Sequence, residues 1–230
     1  MNGNNDKIID VEKSILPITP VIPSVIWGCH FEIDVKKTKN APKNQEIYFE
    51  EEDTDDFGEN DYYLYDPITK YSSLFLIDWL RWKSKPLMKL KDPDERKPLC
   101  LYINSYGGDL LQGFSVVDEI RKCIDNGIKI DTVIDGPCAS AATIISIAGS
   151  ARYMKKHGFM LIHQLSSIMM GTYENFKDNQ ENIEMFMKKI ILLYQKYTKF
   201  PENELEEILK HDLWLDSDKC LEYGLVDKLY

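Results

Sequence analysis

A chain of 230 residues that is 43% hydrophobic and carries a formal net charge of −10 has the length of one domain of ordinary to large size, and buries on the order of 70% of its unfolded surface. The excess of acid excludes a nucleic-acid partner, because phosphate contact needs a basic face, and reads as solubility. No apolar stretch approaches the ~20 residues that span a bilayer, and the opening MNGNNDKIIDVEKS lacks the order of a secretory signal, so no membrane partner and a cytoplasmic or organelle-matrix location are expected.

The first 61 residues read as a divergent front segment, distinct from residues 62–230. Three prolines in PITPVIPSVIWG favour extended or turn backbone. Residues 46–61 hold nine acids and no base, and their self-repulsion predicts an acidic loop, in part without fixed structure. From Tyr62 the pattern tightens. YYLYD has the composition of a short strand, and SSLFLIDWLRWK (72–83) has a hydroxyl start followed by Leu76, Trp79 and Leu80 at helical spacing. The charged, proline-broken stretch that follows predicts a loop over 83–98.

The middle of the chain alternates strand and helix. LCLYIN (99–104) is an apolar run of strand length, SYGGD turns the chain, and LLQGFSVVDEIRKCIDNG sets Leu110, Phe114, Val117, Ile120 and Ile124 on one helical face with Gly127 at the C-terminal cap. IKIDTVID predicts a second strand, AATIISIAG a helix, and FMLIHQ (159–164) a third strand. Such alternation predicts an α/β fold with a largely parallel sheet. Residues 173–200 form a proline-free amphipathic stretch with Phe176, Ile183, Phe186, Met187, Ile190, Leu193, Tyr194 and Tyr197 in register. It predicts a helix well beyond the usual ~11 residues, whose exposed part would be an oligomer interface.

Cys29, Cys100, Cys123, Cys138 and Cys220 are scattered without a CxxC pair and read as buried thiols of a reducing compartment. His30, His157, His163 and His211 make no HxxxH or Cys/His cluster, so neither a metal nor a cofactor is expected. ATP is not expected either, since no GxxxxGK[ST] loop is present.

Ligands of a parallel sheet gather at the carboxyl ends of its strands. Those ends here are NSYGGD, DGPCAS and HQ. Ser140 falls at a helix N-terminus, either as an ordinary N-cap or as a nucleophile whose small neighbours admit a substrate carbonyl. His163 is either a satisfied core imidazole or the general base that such a serine requires. A carboxylate to orient it would come from Asp212, Asp216, Asp218 or Asp227, which periodicity does not separate, although Asp216 or Ser217 looks like a helix cap. Gly107 and Gly108 read either as a tight turn or as part of an oxyanion hole made by the N–H groups of Gly108 and Ala141.

LYINSYGGDLLQG, DGPCASAATIISIAG, MLIHQ and LEYGLVDKL, in that order and spacing, resemble the signatures of the ClpP family, the proteolytic subunits of the Clp protease, over residues 62–230. The resemblance implies a ClpP/crotonase-like fold of repeated β-β-α units, with the stretch 173–200 as a protruding handle helix. It implies a serine endopeptidase that hydrolyses unfolded polypeptides inside a double ring of seven-membered rings, homomeric or mixed, supplied by an AAA+ unfoldase. Carried over by position, Ser140 is the nucleophile, His163 the base, Asp212 the orienting carboxylate, and Gly108 and Ala141 the oxyanion donors. The chain departs from the family in SYGG where SPGG is usual, which puts Tyr106 at the turn, and in Ala141 beside the serine. A silent ring subunit or adaptor, and a crotonase-like acyl-CoA enzyme, are the alternative readings.

Overall fold

The computed structural model describes residues 58–230. The proline-containing stretch at 17–28, Cys29, His30 and the acidic residues 46–57 lie outside the described residues. Among the described residues seven strands form one sheet. β1 (Asp61–Leu64), β2 (Leu99–Ser105), β3 (Ile130–Ala139) and β4 (Ala151–Met154) pair in that order, each parallel to the next. β5 (Phe159–Leu161) pairs in parallel with the end of β3 and antiparallel with β6 (Trp214–Leu215), while β7 (Lys228–Leu229) adds to β4. The α/β class and the largely parallel sheet are as expected from the alternation of apolar runs.

The long strand β3 serves two partners. Its first half, Asp131 to Ile134, pairs with β4, and its last three residues, Pro137 to Ala139, pair with β5. The branch lies at Gly136, with φ +126°, where a Cβ would come within 2.7 Å of the Asn104 side chain. The strand therefore runs four residues beyond the IKIDTVID stretch and delivers its end directly to Ser140.

β2 alternates rather than being buried on both faces. Leu99, Leu101, Ile103 and Ser105 are buried, whereas Cys100, Tyr102 and Asn104 are half-buried. The opposite face carries tyrosines, with Tyr63 stacked on Tyr102 at 4.9 Å and Tyr230 edge-on to both Tyr102 and Tyr153. This alternation is the pattern of a sheet with one face on the core.

The helices cover the apolar face. α1 (Lys70–Leu87) starts at Thr69, which makes a capping box with Ser72, three residues earlier than the hydroxyl start read from sequence. It also runs through Lys83–Leu87, correcting the predicted loop there. Pro86 falls in the last turn, where it removes the i→i−4 donor to the Trp82 carbonyl. α2 (Leu110–Asp125) is capped by Asp109, and Gly127 ends it in a Schellman turn, with Ile128 N–H donating to Cys123 and Gly127 N–H to Ile124. Its buried stripe runs through Val116, Val117, Ile120 and Cys123, while Leu110, Phe114 and Ile124 flank it half-buried. Glu119 is buried between α1 and α2, with Arg81 at 2.8 Å and Lys122 at 3.1 Å.

α3 (Ala141–Ser146) is short and wholly buried, ending three residues before the predicted helix does. α4 (Tyr173–Tyr197) is a 25-residue helix with Thr172 and Asn175 as its capping box. Of its apolar stripe only Ile190 and Tyr194 are fully buried, and Phe176 is exposed, as are Ile168 and Met170 in the segment leading into the helix. α5 (Glu202–Leu209) and α6 (Ser217–Glu222) complete the fold, with Asp216 capping α6 as anticipated. Cys123, Cys138 and Cys220 are buried free thiols, and Cys100 is a half-buried one. Arg152 on β4 forms a double ion pair with Asp227 and donates to the carbonyls of Tyr197 and Gly224, fastening the ends of α4 and α6 to the sheet.

Candidate active site

Ser140 stands between β3 and α3 with φ +54° and ψ −128°, and is the one non-glycine residue at positive φ among the described residues. An N-cap residue has extended backbone and a side chain that accepts from the first turn. Thr69, Asp109, Thr172 and Asp216 do this for their helices, whereas Ser140 makes no side-chain cap bond. The ordinary N-cap reading of Ser140 is thus corrected: the backbone is turned the wrong way for capping. Such a conformation costs about 1–3 kcal/mol, so the surroundings must hold it.

They do so from three sides. The Ser140 N–H donates to the carbonyl of Leu161 on β5 at 3.0 Å, extending the β3–β5 pairing by one bond. The Ser140 carbonyl accepts from the Thr143 N–H at 2.9 Å and from the Thr143 hydroxyl. Gly107 presses against the turn from β2: a Cβ there would lie 2.5 Å from the Ala139 carbonyl and 2.7 Å from Ser140 Cβ. Only glycine fits this approach at φ +90°.

Gly108, at φ +150°, is held by a bridge to Ile68 in which Ile68 N–H donates to Gly107 and Asp109 N–H donates to Ile68, both at 2.8 Å. These bonds leave the Gly108 N–H outside the pairing. Ala141 opens α3, where first-turn N–H groups have no partner within the helix. Gly108, Ser140, Ala141 and His163 line one small cavity of about 60 Å³, closed by Leu110, Ile144, Leu165, Ile190 and Tyr194. The cavity thus combines a hydroxyl, an imidazole and the backbone of two oxyanion-donor candidates with apolar walls.

His163 follows β5 by two residues rather than ending the strand, and its ring is partly accessible. The next residue anchors the backbone, since the Gln164 N–H donates to Leu209 at 2.7 Å. His163 Nδ1 lies 3.6 Å from Asp212 Oδ1, too long for a direct hydrogen bond, and the Asp212 side chain is 82% exposed. The structure distinguishes the four aspartates that pattern left equivalent. Asp216 is committed to the α6 cap, Asp227 to Arg152, and Asp218 sits in the first turn of α6, so Asp212 is the one placed beside His163. Cys138, two residues before Ser140, is fully buried, and burial pushes its thiol up and away from the thiolate form.

Thr143 and Tyr194, which the sequence does not assign to the site, also shape it. The Tyr194 hydroxyl on α4 meets the Thr143 hydroxyl, joining the longest helix to the Ser140 turn. A Thr three residues after Ser140 is a weak local signal for this, and nothing in the chain pairs it with a tyrosine 51 positions on. Tyr106 stands edge-on to Trp214 at 6.2 Å and borders a second cavity of about 470 Å³ with Gly136, Pro137, His157 and Phe159. Among the described residues no group of three or more His, Cys, Asp or Glu side chains is arranged for a metal ion, and no helix is long and apolar enough to cross a membrane.

Residues 59–230 match the family model described as Clp protease. A proteolytic subunit of the ATP-dependent Clp protease from Porphyromonas gingivalis is 26% identical over 145 residues, covering 62% of this chain and 64% of the relative. Subunit 1 from Chlamydia pneumoniae is 28% identical over 166 residues, 70% of this chain and 82% of the relative. Subunit 2 from Bifidobacterium longum is 31% identical over 145 residues, 62% and 69%. The match runs from the turn before β1 to the last residue, through every element around the Ser140 cavity, and the chain belongs to the Clp protease family.

Proposed function

We propose that this chain is a serine endopeptidase subunit that cleaves polypeptides through an acyl-enzyme, with Ser140, His163 and Asp212 as its catalytic residues. The observation that carries this reading is the uncapped Ser140 at positive φ, facing a cavity shared with His163, Gly108 and Ala141. His163 Nε2 takes the proton of Ser140 as Oγ attacks the peptide carbonyl carbon. The N–H groups of Gly108 and Ala141 receive the tetrahedral oxyanion. His163 then returns the proton to the departing amine, the C–N bond breaks, and water repeats the sequence on the ester. Asp212 accepts from Nδ1–H and stabilises the imidazolium, a contact that shortens from its present 3.6 Å when the ring is charged.

The same reading extends to assembly. Ile168, Met170 and Phe176 are 81%, 94% and 52% exposed along the entry and first turns of α4, an apolar edge that a single chain leaves in water. We assign α4 the role of the handle through which two seven-membered rings stack, homomeric or mixed, around a chamber in the cytoplasm or an organelle matrix. Folded substrates then need an AAA+ unfoldase, because the family's chemistry on this chain opens peptide bonds and not folds.

The experiment is labelling with a fluorophosphonate. The assembled protein forms a covalent adduct on Ser140, and Ser140→Ala abolishes both adduct and peptide hydrolysis while the particle persists. Absence of the adduct refutes the assignment. The exposure of Asp212 and its long contact to His163 favour a second reading, a silent ring subunit. That reading requires mixed particles in native mass measurement and no labelling even inside them.

A further inference from the structure

The geometry points to Tyr194 and Thr143 as positioning residues for Ser140: a chain of two buried hydroxyls, running from α4 to the Ser140 carbonyl, sets the backbone that presents the nucleophile. The inference rests on the proposed role of Ser140 and adds two side chains to it.

The direction of the chain follows from proton counting. A carbonyl only accepts, so the single proton of Thr143 Oγ1 goes to the Ser140 oxygen. The Tyr194 hydroxyl must then donate to Thr143 Oγ1. Both hydroxyls are committed, and both lie where water does not compete: Thr143 and Tyr194 are buried, at 0% and 2% exposure. Burial also pushes the Tyr194 phenol up, which keeps its proton on the oxygen. Linked donors of this kind polarise one another.

The position acted on is the relevant one. With φ +54° and ψ −128°, Ser140 needs an external hold on its peptide plane. The Leu161 carbonyl holds the amide side, and the Thr143 N–H and hydroxyl hold the carbonyl side. The Ala141 N–H belongs to the same peptide as the Ser140 carbonyl, so the bonds that fix that carbonyl also aim one of the two oxyanion donors. Tyr194 lines the cavity itself, and its ring is packed edge-on to Phe200 at 6.4 Å, so its oxygen has a fixed origin. Removing the hydroxyl while keeping the ring isolates the positioning effect.

The test uses Tyr194→Phe, Thr143→Val and Thr143→Ser in the full chain, with fluorophosphonate inactivation resolved into its maximal rate and its half-saturating concentration. The expected result is a fall on the order of tenfold in the maximal rate for Phe and for Val, the equivalent of one hydrogen bond, with half-saturation unchanged and with Thr143→Ser restoring the rate. A lower melting temperature with an unaltered rate would mean a structural role only and overturns the inference. So does a Ser variant as slow as Val. Crystal structures of the Phe and Val variants supply a readout independent of activity: Ser140 leaves the positive-φ region in at least one of them, and retention of φ near +54° in both refutes the inference even if the wild type fails to label. Failure of wild-type labelling, by contrast, counts against the proposed function.

Discussion

The backbone at Ser140 makes a prediction that separates catalysis from stability. Ser140→Ala and Ser140→Gly both remove the hydroxyl, but only glycine removes the Cβ that makes φ +54° unfavourable. The strain it relieves is about 1–3 kcal/mol, while the greater freedom of glycine in the unfolded chain returns about 0.4–1 kcal/mol. The glycine variant should therefore exceed the alanine variant in stability by about 1 kcal/mol, which for a domain of this size raises Tm by roughly 2–4 °C. Differential scanning calorimetry on the two proteins, at equal concentration and in the same assembly state, measures the difference. A glycine variant that melts at or below the alanine variant refutes the claim that tertiary contacts impose strain on this residue.

Two further outcomes follow from other parts of the molecule. The hydrogen bond from Arg81 leads in holding the Glu119 carboxyl below its usual range, burial opposes it, and Lys122 reinforces it; a depressed acid stabilises the fold above its unfolded value of ~4.3 and loses that contribution as pH falls through the folded value. Urea titrations between pH 6 and 3 should show a steeper loss for wild type than for Glu119→Gln, and parallel curves would remove the pair from the stability account. Replacing Ile168 and Phe176 by Asp should convert the largest particle seen in sedimentation velocity into smaller ones while circular dichroism stays unchanged, and an unaltered particle would take this edge out of the proposed interface.

What the chain discloses, and what it withholds, divides along the range of the forces involved. Gly127 after an amphipathic run and Asp216 before α6 are legible because a Schellman turn and an N-cap are made within a few residues. The diglycine is legible as a turn, but the reason for Gly107 is the backbone of Ala139 to Ala141, more than thirty positions away. β4 is missed because ARYM has no alternation of its own and becomes a strand through pairing with β3. Pattern alone suits Ser140 to an N-cap, since local propensity knows nothing of Leu161 or Gly107. The aspartates are alike in sequence and become different only when Arg152, the α6 start and His163 each engage one of them.

The branching of β3 at Gly136 has a consequence for how the protein breathes. Ser140 is anchored at the tip of the main sheet, whereas His163 and Asp212 flank the short β5–β6 ribbon, which among the described residues pairs with that sheet at Pro137 to Ala139 and through the Ser140 amide. A seam of so few backbone bonds opens at a fraction of the global unfolding free energy. Amide exchange at Ser140 and along β5 should then outpace exchange in the middle of β2 and β3, and the proposed catalysis becomes a property of how long this seam stays zipped.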